Sequence, residues 1–192
     1  MAWMPEDHAP RQHEDIKTAV RKGLVIIYTG HGKGKTTAAL GLAFRALGRR
    51  QRVAVVQFIK GKWKTGEAAM AGELTGRIDW FSMGDGFTWI TQNYERDVAS
   101  ARRAWNKCLE LLTDPRYQII ILDELNCVMA YNFLPIEDVI EGLKRKPPQT
   151  HVVITGRDAP PELIEVADLV TEMREIKHPY QAGIKAQPGV DY

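Results

Sequence analysis

The chain has 192 residues, 44% of them apolar and 26% charged, the proportions of a soluble single domain with a substantial core. Its 26 basic and 24 acidic residues leave a net charge of +2, which supplies no electrostatic footprint for a nucleic acid or a membrane surface, so the expected partners are small molecules or proteins. Cys108 and Cys127 stand isolated, without C-x-x-C or Cys/His ligand spacing, which argues against a disulfide framework or a zinc cluster and fits a reducing cytoplasm.

Residues 1–22 are polar, lack the apolar h-region of a secretory signal, and read as an arm outside the core. From residue 23 to 192 a single α/β domain is expected. No apolar run approaches the roughly 20 residues that a membrane-spanning helix needs. After Gly23, "LVIIYT" is a continuous β-branched run, the pattern of a strand buried on both faces of a parallel sheet. The segment "GKTTAALGLAFRALG" follows as a helix, with Gly48 expected at its C-terminal cap.

"RVAVVQFIKG" repeats the buried-strand pattern, "RIDWFSMG" alternates more weakly, and "YQIIILDEL" is the strongest apolar run of the chain. "THVVITGRD" and "ADLVTEMREI" add two further strands. Between them, residues 92–113 place Val98, Ala101, Trp105, Cys108 and Leu112 on one helical face. Ile136–Leu143 makes a shorter helix opened by Pro135, and Pro161–Ala167 another. Strands alternating with helices imply right-handed crossovers, a mostly parallel sheet covered on both faces, and ligands at the carboxyl ends of its strands. The expected architecture is therefore a three-layer α/β fold with a mostly parallel central sheet flanked by helices. The last segment, "KHPYQAGIKAQPGVDY", is polar and irregular.

The first strand and helix are joined by "TGHGKGKTT". A phosphate-cradling P-loop is written G-x-x-x-x-G-K-[ST], but the glycine pair here, Gly30 and Gly34, is one residue closer together. Glycines entering a helix allow successive backbone N–H groups to converge on a phosphate, and the helix N-terminus adds partial positive charge. On this reading the fold is P-loop NTPase-like, and Gly30, His31, Gly32, Lys33, Gly34 and Thr37 belong to the ATP cradle. Lys35 aims an ammonium at the phosphates, and Thr36 offers its hydroxyl to magnesium. "IIILDEL" places Asp123 and Glu124 at the carboxyl end of a buried strand expected near the loop. In a hydrolase, the Asp would support magnesium and the Glu would polarise water. Arg157, after "VVITG", falls at another strand's carboxyl end, within expected reach of phosphate.

These elements alone leave an ordinary P-loop ATPase or kinase open. The segment "MGDGFTWITQNYE" spends two large aromatics, Phe87 and Trp89, beside turn-forming residues, and on an extended segment both project from one face. A core-anchoring role and a ligand-facing role are both compatible with them.

Together, "TGHGKGKTTAA", "VAVVQFIKG", "GFTW" with "TQN", "LDEL", "YNFLP", "VVITGRD" and the tail resemble the ATP:corrinoid adenosyltransferases, from about Leu24 to Tyr192. The resemblance implies an alkyl-transferring enzyme in which Co(I) of a reduced corrinoid, cob(I)alamin or a cobinamide-type precursor, attacks the 5′ carbon of ATP and triphosphate leaves. It also implies ATP reversed relative to ordinary P-loop hydrolases, Lys35 and Glu124 as catalytic groups, and magnesium on Thr36 and Glu124 with Asp123 supporting from behind. Phe87 and Trp89 are implied to lie against the corrin and displace its lower axial ligand, which makes reduction to Co(I) feasible. Residues 1–22 would close over the corrinoid site, a reductase would supply the electron, and the chain would form a homodimer. Two positions depart from the family pattern: Ile90 stands where some members carry an acid, and His31 where others carry Asn. A nucleotide-responsive protein that delivers or senses corrinoid is a further alternative.

Overall fold

The computed structural model describes residues 20–59, 65–74, 76–84 and 93–191. Within them six strands form one sheet: β1 (Val25–Thr29), β2 (Val53–Gln57), β3 (Ile78–Ser82), β4 (Ile119–Asp123), β5 (His151–Thr155) and β6 (Leu169–Glu172). Their order is β3-β2-β4-β5-β1-β6, and every pairing is parallel. Each crossover therefore returns to the same end of the sheet, so all six carboxyl ends share one rim.

Among the described residues six α-helices cover the sheet: α1 (Lys35–Gly48), α2 (Gly66–Glu73), α3 (Tyr94–Leu112), α4 (Leu125–Ala130), α5 (Ile136–Leu143) and α6 (Pro161–Val166). Strand alternation divides the core into two. Ile120, Leu122, Val152 and Ile154 face Ala101, Trp105, Cys108, Leu112, Val139 and Leu163 of α3, α5 and α6, whereas Ile119, Ile121 and Val153 face Ala39, Ala43 and Ala46 of α1. A three-layer α/β structure results, because a strand buried on both faces needs a helix on each side. The small alanine face of α1 lets that helix lie close to the sheet, which sets the depth at which its N-terminus meets the strand ends.

The expected strands and the four expected helices are present, but among the described residues two further helices were not expected from the sequence. Helix α2 buries only Ala71, so "GEAAMAGE" carries almost no apolar stripe; its start is marked by Thr65, which accepts from Ala68 N at 3.3 Å. Helix α4 begins directly after Glu124, which takes φ of 65°, so the chain turns from strand to helix without a loop. The expectation for Gly48 also needs correction. Gly48 is the last helical residue, Arg49 is the cap, and the left-handed residue is Arg50 at φ of 61°. The tail forms one 3-10 turn, Pro179–Ala182, and then returns to the phosphate loop.

Candidate active site

The phosphate loop leaves β1 at Thr29 and enters α1 at Lys35, so its backbone lies on the rim of strand ends. Gly30 and Gly34 take φ of 91° and 109°, a region that L side chains avoid. Gly30 has a steric requirement as well, since a Cβ there would lie 2.5 Å from the carbonyl oxygen of Met173. The chain leaving β6 thus presses against the loop, and Gly32 N donates to Met173 O at 2.7 Å.

Lys35 is 8% exposed, and its ammonium donates to the carbonyls of Gly30 and Gly32, both at 2.7 Å. Burial lowers its pKa, the nearby Glu124 carboxylate opposes that shift, and the charge of Arg157 adds to it. Lys33 turns the other way and pairs with Asp191, which fastens the tail to the loop. His31 Nε2 lies 3.5 Å from Asp158 Oδ1 at the exposed edge. Thr37 lines a cavity of about 610 Å³ that runs along α1 between α2, Trp80 and residues 189–191. That cavity is mostly apolar and lies beside the loop; the polar chemistry is concentrated at the strand ends.

There the acid strand meets the loop. Thr36 Oγ1 donates to Asp123 Oδ1 at 2.8 Å. Asp123 is fully buried and also accepts from Thr155 Oγ1 at 2.8 Å and from Gln57 Nε2 at 3.1 Å. Strand β5 lies between the loop strand β1 and the acid strand β4, and its terminal Thr155 bridges them. The same Thr155 oxygen accepts from Glu124 N at 3.0 Å, which helps hold Glu124 in its left-handed turn. Glu124 Oε2 in turn accepts from the Cys127 thiol at 3.0 Å. Burial first, and then the neighbouring Glu124, push that thiol up to about 12, so it remains a donor at neutral pH.

Arg157 is exposed on the loop after β5, close enough for its charge to act on Lys35. Asn126 Nδ2 donates to Gly156 O at 3.0 Å and so ties the Glu124 turn to the Arg157 loop. The structure therefore gathers Gly30, Gly32, Gly34, Lys35, Thr36, Asp123, Glu124 and Arg157 at one rim. Phe87, Trp89 and Ile90 lie outside the described residues, as do residues 1–19. The sequence reading missed Gln57, Thr155, Asn126 and Cys127. Gln57 and Thr155 carried a usable signal, since each is a polar residue that ends an apolar run within its strand.

The donors around Thr36 suit a hard divalent cation. Because the hydroxyl proton is committed to Asp123, the lone pairs on Thr36 Oγ1 remain available, and Glu124, whose charge acts on the adjacent Lys35, adds carboxylate oxygens at the same rim. Among the described residues no three His, Cys, Asp or Glu side chains cluster as a cage of their own. This donor set matches magnesium held jointly by one or two protein oxygens and phosphate.

A glycine loop between a buried strand and a helix, facing an acid at the end of a parallel strand, defines a P-loop nucleotide-binding protein. The fold agrees with that of the flagellar accessory protein FlaH from Methanocaldococcus jannaschii, with a TM-score of 0.54 at 16% identity over 80% of this chain and 72% of that one. Within that class, residues 21–192 match the family model described as ATP:corrinoid adenosyltransferase BtuR/CobO/CobP, and the chain belongs to this family. A corrinoid adenosyltransferase from Sinorhizobium sp. is 50% identical, with 98% of this chain and 89% of that one covered. One from Escherichia coli K12 is 46% identical over 89% and 86% of the two chains. Membership makes the chain a transferase that moves the adenosyl group of ATP to a corrinoid.

Proposed function

We propose that the rim of strand ends holds ATP so that its ribose 5′ carbon faces Co(I) of a reduced corrinoid. The cobalt electron pair forms the Co–C bond, the C5′–O bond breaks, and its electron pair leaves with triphosphate. The Thr36–Asp123 hydrogen bond carries this reading, because it sets the start of α1 and the end of β4 at one point. In the proposal Gly30 to Thr36 cradle the phosphates, with backbone N–H groups and the α1 terminus facing them. His31 and Lys33 belong to that cradle through their place in the loop, and Thr37 through its place in the first turn of α1.

Lys35 exchanges its two carbonyl acceptors for phosphate oxygens and neutralises the leaving group, with Arg157 as a second cation. Thr36 and Glu124 would hold magnesium, while Asp123 fixes the Thr36 hydroxyl from behind. Magnesium bound there would offset negative charge on the departing phosphates. The reaction requires charge stabilisation at the leaving oxygen of the α-phosphate and needs no water placed at the γ-phosphate. A shortened loop with ATP reversed is consistent with that demand.

Phe87 and Trp89 are assigned to the corrin face by resemblance. Residues 1–22 are assigned as the arm that closes over it, excluding water and oxygen from the nucleophile. The proposal extends to a cytoplasmic homodimer served by an electron-donating reductase. The isolated cysteines support the reducing compartment, and no helix among the described residues is long and apolar enough to cross a membrane. The decisive experiment incubates the protein with MgATP and chemically reduced corrinoid and identifies the phosphate product. Intact triphosphate in step with a new Co–C absorption is expected; orthophosphate without that absorption would replace the proposal with an ordinary hydrolase.

A further inference from the structure

Three adjacent strands end in one polar row. Ser82 on β3 and Asp123 on β4 are the register partners of Gln57 on β2. Gln57 is 2% exposed, so its amide is satisfied by protein at both ends. Nε2 donates to Asp123 Oδ2 at 3.1 Å, while Oε1 accepts from Trp80 Nε1 and from Ser82 Oγ, both at 3.1 Å.

The orientation of this amide follows from its partners. An indole N–H only donates and a carboxylate accepts, so a flipped amide would set oxygen against carboxylate and NH₂ against the indole N–H. Either end of Gln57 therefore dictates the other. Beyond Asp123 the chain of bonds reaches Thr36 at 2.8 Å, giving the sequence Trp80 and Ser82, Gln57, Asp123, Thr36. Its far end lies on the edge strand, where Trp80 also lines the α1–α2 cavity.

We propose that Gln57 is a positioning residue for the metal-assisted part of ATP binding: held by Trp80 and Ser82, it fixes the Asp123 carboxylate that in turn aims the Thr36 hydroxyl. The inference rests on the ATP reading of the loop but not on what becomes of the ATP. Gln57 itself touches no substrate. Its effect should appear only where Thr36 is needed as a cation ligand.

The test is calorimetric binding of ATP to the full chain, with magnesium and with EDTA, for the wild type, Gln57→Met, Trp80→Phe and Ser82→Ala. Gln57→Met preserves length and volume and removes the amide. It is expected to weaken ATP binding in magnesium about tenfold and to leave binding in EDTA within about twofold of wild type. Trp80→Phe, some distance from the loop, should show a smaller loss of about threefold with the same magnesium dependence. In a double variant carrying Gln57→Met and Trp80→Phe the two losses should not multiply, because both act through one bond chain.

Equal weakening with and without magnesium would mean general loosening of the sheet and would overturn the proposal. So would multiplying losses, or wild-type affinity in Gln57→Met. If Gln57→Met does not fold, Trp80→Phe and Ser82→Ala decide: wild-type magnesium dependence in both overturns it. A wild-type chain that binds MgATP with this pattern yet forms no Co–C bond would sink the transferase proposal and leave this one standing.

Discussion

The hydroxyl of Thr36 donates to Asp123 across 2.8 Å and joins the first turn of α1 to the carboxyl end of β4. Two residues 87 positions apart in sequence, on two different elements, are thereby held together. Thr36→Ala removes both this bond and the hydroxyl ligand, and is expected to weaken MgATP binding by roughly tenfold or more. Thr36→Ser keeps the oxygen and should stay within a few-fold of wild type. Asp123→Asn places an NH₂ among donors from Thr36, Thr155 and Gln57, and should lower stability by about 1–3 kcal/mol in urea unfolding. Unchanged stability in Asp123→Asn would show that the buried carboxylate is not the organising acceptor.

Lys35→Ala should reduce turnover by about 100-fold, whether the corrinoid is supplied as Co(I) or reduced in place, because the loss falls on the leaving triphosphate. Steady-state rates with each corrinoid preparation check this. Loss confined to one redox state would contradict the phosphate assignment. Trp89→Ala should behave in the opposite way, impairing turnover from cob(II)alamin much more than from prepared cob(I)alamin.

Gly30→Ala tests the seating of the loop on the chain that leaves β6. The residue sits at φ of 91°, and an added Cβ would meet Met173 O at 2.5 Å. The left-handed backbone alone costs about 1–2 kcal/mol for an L side chain, and the contact adds to it. A lowered urea midpoint together with weaker ATP binding is expected. A variant with wild-type values for both would mean that the 173–174 segment is free to move away.

His151 predicts an acid-dependent loss of stability. Its Nδ1 accepts from Leu24 N at 3.1 Å, and burial first, then the Lys146 charge, lowers its pKa below the usual 6.5. The unfolded chain takes up a proton near 6.5 while the folded protein still resists it. The stabilisation is therefore fully present above that pH and is lost as pH falls through the depressed folded value. His151→Asn keeps an acceptor for Leu24 without a titrating group. Its urea midpoint should drop less than that of wild type between pH 7.5 and 5.5; parallel curves would remove His151 as the cause.

Much of this protein can be read along the chain. The runs ending in Thr29, Gln57, Asp123 and Thr155 are apolar and β-branched because both faces of the sheet are covered, so the buried strands announce themselves. The glycine loop and "LDEL" are equally legible, since phosphate binding depends on residues that lie next to one another. Helices α2 and α4 were not, because one buries a single alanine and the other starts without any linker.

What the chain could not disclose is which strand ends stand side by side. The insertion of β5 between β1 and β4, and the alignment of Ser82, Gln57, Asp123 and Thr155 in one row, depend on pairings between distant segments. In sequence Gln57 is one polar residue after four apolar ones, and Thr155 one threonine before a glycine. Only when the sheet assembles does burial oblige each to find its partner, and the two then converge on the same carboxylate. Local chemistry thus points to the glycine loop and the acid, whereas the hydrogen-bonded row that joins them exists only in the tertiary structure.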